Sequence, residues 1–199
     1  MSLDPRRTKQ ILTAAGQVFR EAGFAGASME NIARQAAVSK ATLYNHFSGK
    51  NELFRAAVRQ ASEAFVMEQN GLNLGSLSLK AALLKLGDNF VHFLLQEDKL
   101  AVLRAVLSES HRDPGLGQCF HDAGPAVAQQ AIAAFLAQRK RRHELVVADC
   151  NRAARHFMDL VRGDLQWRAL MGVDVSEAEL QAHLHSAVAC FLEGYQAAR

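Results

Sequence analysis

The spacing of apolar residues predicts helices along nearly the whole chain. Residues 6–22 form the first helix, because apolar side chains recur there every three or four positions, as on one face of an amphipathic helix. Gly23 ends that helix, since glycine is favoured just beyond a helix C-terminus. A further long helix is expected from Gly49 to about Gln69. No segment shows the alternation of apolar and polar residues between hairpin turns that indicates strands.

Between these helices, residues 28–47 predict two short helices joined by a tight turn. Ser28 and Ser39 each precede one of them, and a serine there caps a helix by accepting a hydrogen bond from a free backbone N–H. Leu43 and Phe47 fall on the inward side of the second helix, and its other positions are mostly polar. A DNA major groove is a polar surface that accepts such a helix in a helix-turn-helix.

Beyond residue 70 the chain continues as helices. A loop is expected at residues 70–75 and a break at 111–115. Apolar periodicity predicts the helices themselves at 77–96, 98–110, 116–123, 125–141, 149–171 and 176–198. Four consecutive cations, Arg139–Arg142, close one of these helices. Cations are favourable at a helix C-terminus, so we expect a solvated cap there, with a second phosphate contact as the alternative.

Positive charge is concentrated in the N-terminal part of the chain. The whole chain has a net charge of +3, whereas residues 1–60 contain nine basic and four acidic residues, a net charge of +5. A positive end on a near-neutral body is typical of a protein that binds nucleic acid through that end. A non-specific nucleoid protein, which binds through charge alone, is expected to be basic throughout.

Five segments occur in the order and at the spacing of the tetracycline-repressor (TetR/AcrR) family of bacterial regulators, which the chain resembles. They are Thr8–Leu12, Ala22–Phe24, Ser28–Ala33, Ala41–Phe47 and Lys50–Phe54. Ala37 departs from the family pattern, which usually has glycine in the turn. Alanine at a positive φ costs about 1 kcal/mol. Three later segments, at residues 111–117, 123–125 and 157–165, resemble the AefR-like subgroup.

The resemblance implies an all-α protein of two domains. Residues 6–66 correspond to a three-helix helix-turn-helix DNA-binding domain, and residues 67–199 to an α-helical ligand-binding and dimerisation domain. Tyr44 and Lys50 are expected to grip phosphates, and Lys40, Thr42 and Asn45 to lie near base edges. The full set of predicted DNA contacts is Ser28, Met29, Ser39, Lys40, Ala41, Thr42, Tyr44, Asn45, His46 and Lys50.

A pocket for a mainly apolar small molecule is expected among residues 65–171. A ligand against Phe65 is expected to tilt the fourth helix and so release the DNA. Aromatic side chains at helical spacing also build ordinary cores, and both interpretations stay open. The predicted lining is Phe65, Phe90, Phe93, Leu103, Leu107, Phe135 and Trp167, with His92, His121 and Arg104 as candidate polar groups.

Two apolar stripes near the C-terminus predict a homodimer built as a four-helix bundle. The alternative is that the two helices only complete the core of one protomer. A two-fold dimer implies a near-palindromic double-stranded operator. The predicted interface residues are Phe157, Val161, Leu165, Leu184, Val188, Phe191 and Tyr195.

No convergent set of titratable residues indicates an enzyme, so neither a catalytic residue nor a metal or cofactor site is predicted. His183 and His185 are two positions apart and point to different faces of a helix. Three cysteines without paired spacing, and no long apolar run or leader segment, favour a cytoplasmic protein without membrane contact. The sequence therefore predicts a sequence-specific transcriptional repressor released from its operator by a small apolar ligand. An activator, or a regulator without an effector, is the alternative.

Overall fold

The computed structural model describes residues 4–72 and 74–195, except for the side chains of residues 68–71. This part of the chain is helical, with one 3-10 turn at Leu74–Ser76 and no β-strand, and it confirms the predicted all-α class. The helices are α1 (Pro5–Gly26), α2 (Met29–Gln35), α3 (Lys40–Tyr44), α4 (Lys50–Gly71), α5 (Leu79–Leu95), α6 (Glu97–Glu109), α7 (Pro114–Ala123), α8 (Pro125–Arg141), α9 (Cys150–Arg162), α10 (Leu165–Leu170) and α11 (Glu177–Tyr195). No helix within the described ranges is long and apolar enough to cross a bilayer.

Two glycines interrupt the helical pattern where the chain must turn. Gly23 has a φ of 67° and breaks the helical geometry within α1, as predicted. Gly163 has a φ of 50° and separates α9 from α10, whereas the sequence pattern predicted one helix over 149–171. A Cβ at residue 163 would lie 2.5 Å from the ring of His183, so this position also requires glycine for space.

The chain divides into two compact units. Unit 1 contains residues 1–64 and 101–127, and unit 2 contains residues 65–100 and 128–199. The single boundary expected after residue 66 does not capture this grouping, because residues 101–127 join the N-terminal helices.

Unit 1 has its own hydrophobic core. Ile11, Ile32 and Leu43, which are fully buried, come from the three N-terminal helices. Phe19, Phe24 and Phe54 pack as an aromatic trio with ring centroids 5.1–5.8 Å apart, tying α4 to α1. Val106 and Leu116 complete this core from α6 and α7.

Unit 2 is built around α5, α9 and α11. Gly87 of α5 lies where the three helices meet, and a Cβ there would stand 2.7 Å from Leu184 Cδ1 and 3.2 Å from Val161 Cγ1. Phe157 and Phe191 pack edge to face across the same interface, with centroids 5.3 Å apart. The absent side chain of Gly87 therefore allows the close approach on which this core depends.

A buried cation fixes the segment that precedes α5. Arg139 is only 1% exposed. It donates hydrogen bonds to the carbonyls of Leu74 and Leu77 and to the carboxylate of Glu144. The expectation of a solvated cap is therefore wrong for Arg139, because its buried, planar guanidinium donates to two carbonyls at the 3-10 turn and to a carboxylate. Arg142, which is exposed, donates to the Gly75 carbonyl at 2.9 Å.

Candidate functional sites

Serine side chains cap both short helices of the helix-turn-helix, as predicted. Ser28 Oγ accepts a hydrogen bond from the Asn31 N–H at 3.1 Å, and Ser39 Oγ accepts one from the Thr42 N–H at 3.0 Å. Each cap satisfies a backbone donor that the helix itself leaves free. The caps therefore fix where α2 and α3 begin.

The turn between α2 and α3 holds Ala37 at a φ of 51°. This is the left-handed region, in which a Cβ meets the following carbonyl oxygen. Backbone hydrogen bonds hold the turn, from the Ala37 N–H to Arg34 and from the Val38 N–H to Ala33. The chain thus keeps the turn geometry with alanine in place of glycine, at the cost of local strain.

α3 presents a polar surface on its outward side. Leu43 is fully buried beneath it, and Phe47 is nearly so. Tyr44 is 52% exposed, and Asn45 is exposed as well. Within residues 4–72 and 74–195 the side chains of Tyr44 and Asn45 have no hydrogen-bond partner. Both are therefore available to an external polar surface.

Other predicted DNA contacts are engaged within the protein. The Lys40 ammonium forms an ion pair with the Glu30 carboxylate of α2. The Thr42 hydroxyl lies 2.8 Å from the Ser39 hydroxyl. Ala41 is exposed, Ser28 and His46 are half-buried, and Met29 is buried.

Lys50 holds the end of α1. Its Nζ donates to the carbonyls of Phe24 at 2.7 Å and Ala27 at 3.1 Å, and it lies 4.4 Å from the centre of the Phe24 ring. α1 ends at Gly26, and the carbonyls at the end of a helix have no partner within it, which is the physical reason for the contact. The predicted phosphate contact of Lys50 stays a prediction, and it requires the ammonium to share its protons between these carbonyls and a phosphate.

Glu52 orders the start of α4. Its carboxylate accepts hydrogen bonds from the Ser48 N–H and the Ser48 hydroxyl, both at 2.7 Å. These two bonds lower the pKa of Glu52 below its ordinary value. The first turn of α4 is therefore fixed next to the end of the helix-turn-helix.

The predicted pocket residues do not form one group. Phe65, Phe90 and Phe93 lie together in unit 2, with centroids 4.7 Å apart for Phe65 and Phe93 and 6.1 Å apart for Phe65 and Phe90. Phe135 is half-buried against the same core and lies under the Arg139 guanidinium, 5.2 Å from it.

The remaining pocket candidates lie elsewhere. Leu103 and Leu107 belong to unit 1, and Leu107 is 46% exposed. Trp167 is 56% exposed on α10. Of the polar candidates, His92 and His121 are exposed. His92 pairs with the Glu177 carboxylate and His121 with the Asp122 carboxylate. Within unit 2, the clustered candidates are therefore Phe65, Phe90, Phe93 and Phe135, and the full pocket lining stays a prediction.

The predicted dimer residues are mostly core residues. Phe157, Val161, Leu165, Leu184, Val188 and Phe191 are all at most 2% exposed in the single chain. Their assignment to the interface is corrected, since α5 already covers these stripes and the alternative of a protomer core applies to them. Tyr195 alone of the set is half-buried.

The outward sides of α9 and α11 carry different residues. A groove of about 500 Å³ runs between the two helices. Tyr195 closes one end of it through a 2.5 Å hydrogen bond between its hydroxyl and His156 Nδ1. Small exposed side chains, Ala182, Ser186, Ala189 and Cys190, continue along α11. The groove is lined by His156, Asp159, Leu160, Cys190, Phe191 and Tyr195.

Two models of known protein families match this chain. Residues 11–57 match the model of bacterial regulatory proteins of the tetR family. Residues 81–197, more than half of the chain, match the model of the C-terminal domain of AefR-like transcriptional repressors. The chain belongs to the TetR family. It is a DNA-binding transcriptional regulator with an AefR-like C-terminal domain.

Curated relatives match this TetR-family regulator over a limited part. The regulator UidR of Escherichia coli K12 is 46% identical over 59 residues, 30% of either chain. The transcriptional activator FasR of Mycolicibacterium smegmatis is 46% identical over 54 residues, 27% of this chain and 25% of its own. The matched part spans less than a third of these relatives.

Solved structures match the TetR-family regulator over nearly its full length. A TetR-family regulator from Mesorhizobium loti is 25% identical, with a TM-score of 0.85, and the match covers 99% of this chain and all of the other. The flavonoid-responsive regulator FrrA is 31% identical, with a TM-score of 0.79, over 98% of this chain and all of its own.

Proposed function

We propose that this TetR-family regulator is a homodimeric repressor that binds a near-palindromic operator and is released by a small, mainly apolar molecule. The outward side of α3 carries the proposal: the exposed, unpaired side chains of Tyr44 and Asn45 lie above the buried Leu43. A short helix fixed on its inner side and polar on its outer side fits a major groove.

The proposed division of DNA contacts follows from what each side chain can offer. Asn45 presents an amide, which can pair in a bidentate manner with an adenine edge, and therefore reads sequence. Tyr44 presents a hydroxyl suited to a phosphate oxygen, which fixes position without reading sequence. Lys40 reaches DNA only by exchanging the Glu30 carboxylate for a phosphate or a base.

The operator is found by selection from a random pool of duplex DNA, followed by footprinting on the selected site. Asn45→Ala is expected to relax the preference at one base pair of each half-site and to cost about 1–3 kcal/mol on the preferred sequence. Tyr44→Phe is expected to weaken binding to all sequences by a similar factor. Gln130→Ala, which removes an exposed amide from α8, is the control and leaves binding unchanged. Uniform protection of DNA without a discrete site contradicts the proposal.

Repression rather than activation is proposed because the C-terminal match is to a repressor domain. FasR, a related protein, is an activator, so both directions occur among the relatives. A reporter placed behind the selected operator distinguishes them: removing the regulator raises the reporter signal for a repressor and lowers it for an activator.

The effector site is proposed within unit 2, around Phe65, Phe90 and Phe93. Phe65 and Phe90 are buried and Phe93 is half-buried beside them, so a flat, apolar molecule would enter the cluster next to Phe93. FrrA is named for its response to flavonoids, which supports this chemical class. Phe65 lies on the same continuous helix as Lys50, about 22 Å away along α4 at 1.5 Å per residue, so a ligand that moves this helix can couple to DNA release.

A panel of flavonoids, added to the operator complex, tests the effector class. A compound that binds is expected to raise the thermal midpoint of the free protein and to lower operator affinity about 5- to 150-fold. Phe93→Ala is expected to weaken both effects together, whereas Leu107→Ala, an exposed position in unit 1, leaves them unchanged. Compounds that bind tightly without changing operator affinity contradict the coupling but leave operator recognition intact.

The dimer is proposed to form through the outward sides of α9 and α11. The apolar stripes of these helices are covered by α5. The groove lined by His156 and Tyr195 and the small exposed residues of α11 are therefore the surface proposed for a second copy. Small side chains allow two helices to approach closely.

A further inference from the structure

Three potential metal ligands meet on the surface of unit 2, on α5 and α11. Asp88 and His92 are one helical turn apart on α5, and Glu177 lies in the first turn of α11. One ligand atom from each residue can be chosen so that all three lie within 4.8 Å of one another. The sequence analysis missed this group, because Glu177 is 85 residues from His92.

The hydrogen bonds of His92 direct its Nε2 atom at the Glu177 carboxylate. Nδ1 lies 2.9 Å from the backbone carbonyl of Asp88, so this nitrogen carries a proton and donates it there. In the neutral ring, Nε2 then has only a lone pair, and it faces Glu177 Oε2 at 3.2 Å. Two acceptors at this distance repel each other unless a positive charge lies between them.

The surrounding charges are those of a cation site. Two carboxylates converge on the ring, and one lysine, Lys85, stands 3.9 Å from Asp88 Oδ2. Gln181 donates to both carboxylates at 2.8 Å and holds them toward each other. With a neutral imidazole, the two carboxylates and Lys85 leave a net negative charge for a bound ion to balance.

We propose that Asp88, His92 and Glu177 form a zinc site that joins α5 to the start of α11. Imidazole and carboxylate ligands suit zinc, whose bonds to nitrogen and oxygen of about 2.0–2.2 Å place tetrahedral ligands roughly 3.4 Å apart. The 3.2 Å separation of His92 Nε2 and Glu177 Oε2 agrees with that value. The Nδ1–H bond to a backbone carbonyl is the outer contact that typically orients a zinc-bound histidine. Three protein ligands leave the fourth position to water.

The alternative to zinc at this site is a proton on His92 Nε2. The pKa of His92 is raised: burial lowers it, but the hydrogen bonds to Asp88 and Glu177 and the charges of both carboxylates outweigh that effect. A protonated ring would satisfy Glu177 without a metal, so the experiment must show binding of the ion itself.

Isothermal titration of the untagged protein with zinc chloride at pH 7.5 tests the site. One zinc per chain with a micromolar Kd is expected, together with a rise of roughly 5 °C in the thermal midpoint at a hundredfold excess over Kd. His92→Gln and Glu177→Gln are each expected to weaken zinc binding at least tenfold. Titration with cobalt(II) is expected to give the absorption spectrum of a tetrahedral site with nitrogen and oxygen ligands. An ion that binds without coordination by these residues does not give that spectrum.

Two control variants separate this site from other zinc ligands. His121→Gln removes an exposed histidine that pairs with one carboxylate, Asp122, and is expected to bind zinc like the unaltered protein. Cys190→Ser removes the exposed thiol and is also expected to bind zinc unchanged. Circular dichroism of the zinc-free variants confirms that they are folded. Millimolar binding by the unaltered protein, or equal binding by His92→Gln, overturns the proposal.

Discussion

At the scale of single residues, strain in one turn and a buried cation each affect stability. Ala37 occupies a left-handed conformation that glycine adopts without steric cost. Ala37→Gly is expected to raise the free energy of unfolding by about 0.5–1 kcal/mol, because relief of the Cβ clash exceeds the added entropy of the unfolded chain. Urea unfolding followed by circular dichroism measures the change.

The control for this prediction is the same substitution in a regular helix. Ala134 is exposed in the middle of α8, where Ala134→Gly is expected to cost about 1 kcal/mol. The two variants should therefore shift the urea midpoint in opposite directions. A shift of both to lower urea would show that the turn gains nothing from glycine.

The buried side chain of Arg139 is also expected to stabilise the fold. Arg139→Met removes the guanidinium that donates to the Leu74 and Leu77 carbonyls and to the Glu144 carboxylate. We expect a loss of about 3 kcal/mol in unfolding free energy, since removing one partner of a buried ionic network leaves the others unpaired. Arg142→Met, at an exposed position with a single carbonyl contact, should cost less than about 1 kcal/mol. Equal losses in the two variants would contradict the structural role of Arg139.

At the scale of the elements, the packing of α5 against α9 and α11 is the feature that determines the core of unit 2. Gly87→Ala would place a Cβ 2.7 Å from Leu184 Cδ1, so the helices must separate or Leu184 must change its rotamer. We expect a cost of about 1–3 kcal/mol in unfolding free energy, as for other overpacked cores.

Gly16→Ala is the matched control for helix packing. Nothing lies within 4 Å of a Cβ at Gly16 in α1, so alanine should stabilise the helix by about 1 kcal/mol through its higher helix propensity. Thermal unfolding of both variants measures the difference. Stabilisation by both would mean that α5 has more room than this structure shows.

At the scale of the whole molecule, the outward sides of α9 and α11 are the surface through which we propose that two copies assemble. Ala189→Arg puts a long cation among the small exposed residues of α11. At micromolar concentration, sedimentation equilibrium is expected to find this variant as a monomer and the unaltered protein as a dimer. Operator affinity should fall with it, since each monomer reads one half-site. Ala134→Arg makes the same substitution on α8 and should leave the dimer intact. A monomeric unaltered protein would rule out the proposed interface.

Much of the fold could be predicted because its signals act over a few residues. The helical period of apolar positions, the capping serines at 28 and 39 and the glycine break at residue 23 each operate within one or two turns. The inward placement of Leu43 follows from the same period and exposes Tyr44 and Asn45. By itself, the sequence therefore determined the all-α class, the helix-turn-helix and the surface that we propose for DNA.

Only the tertiary structure decided which partner each side chain finds. A sequence pattern shows that α9 and α11 have apolar stripes, but only the packing shows that α5 covers those stripes. Lys50 reaches carbonyls 23 to 26 residues away, and Arg139 reaches a carbonyl 65 residues away. The meeting of His92 and Glu177 is of the same kind. The physical reason is that these contacts depend on how distant helices pack against one another, and no local period or cap specifies that packing.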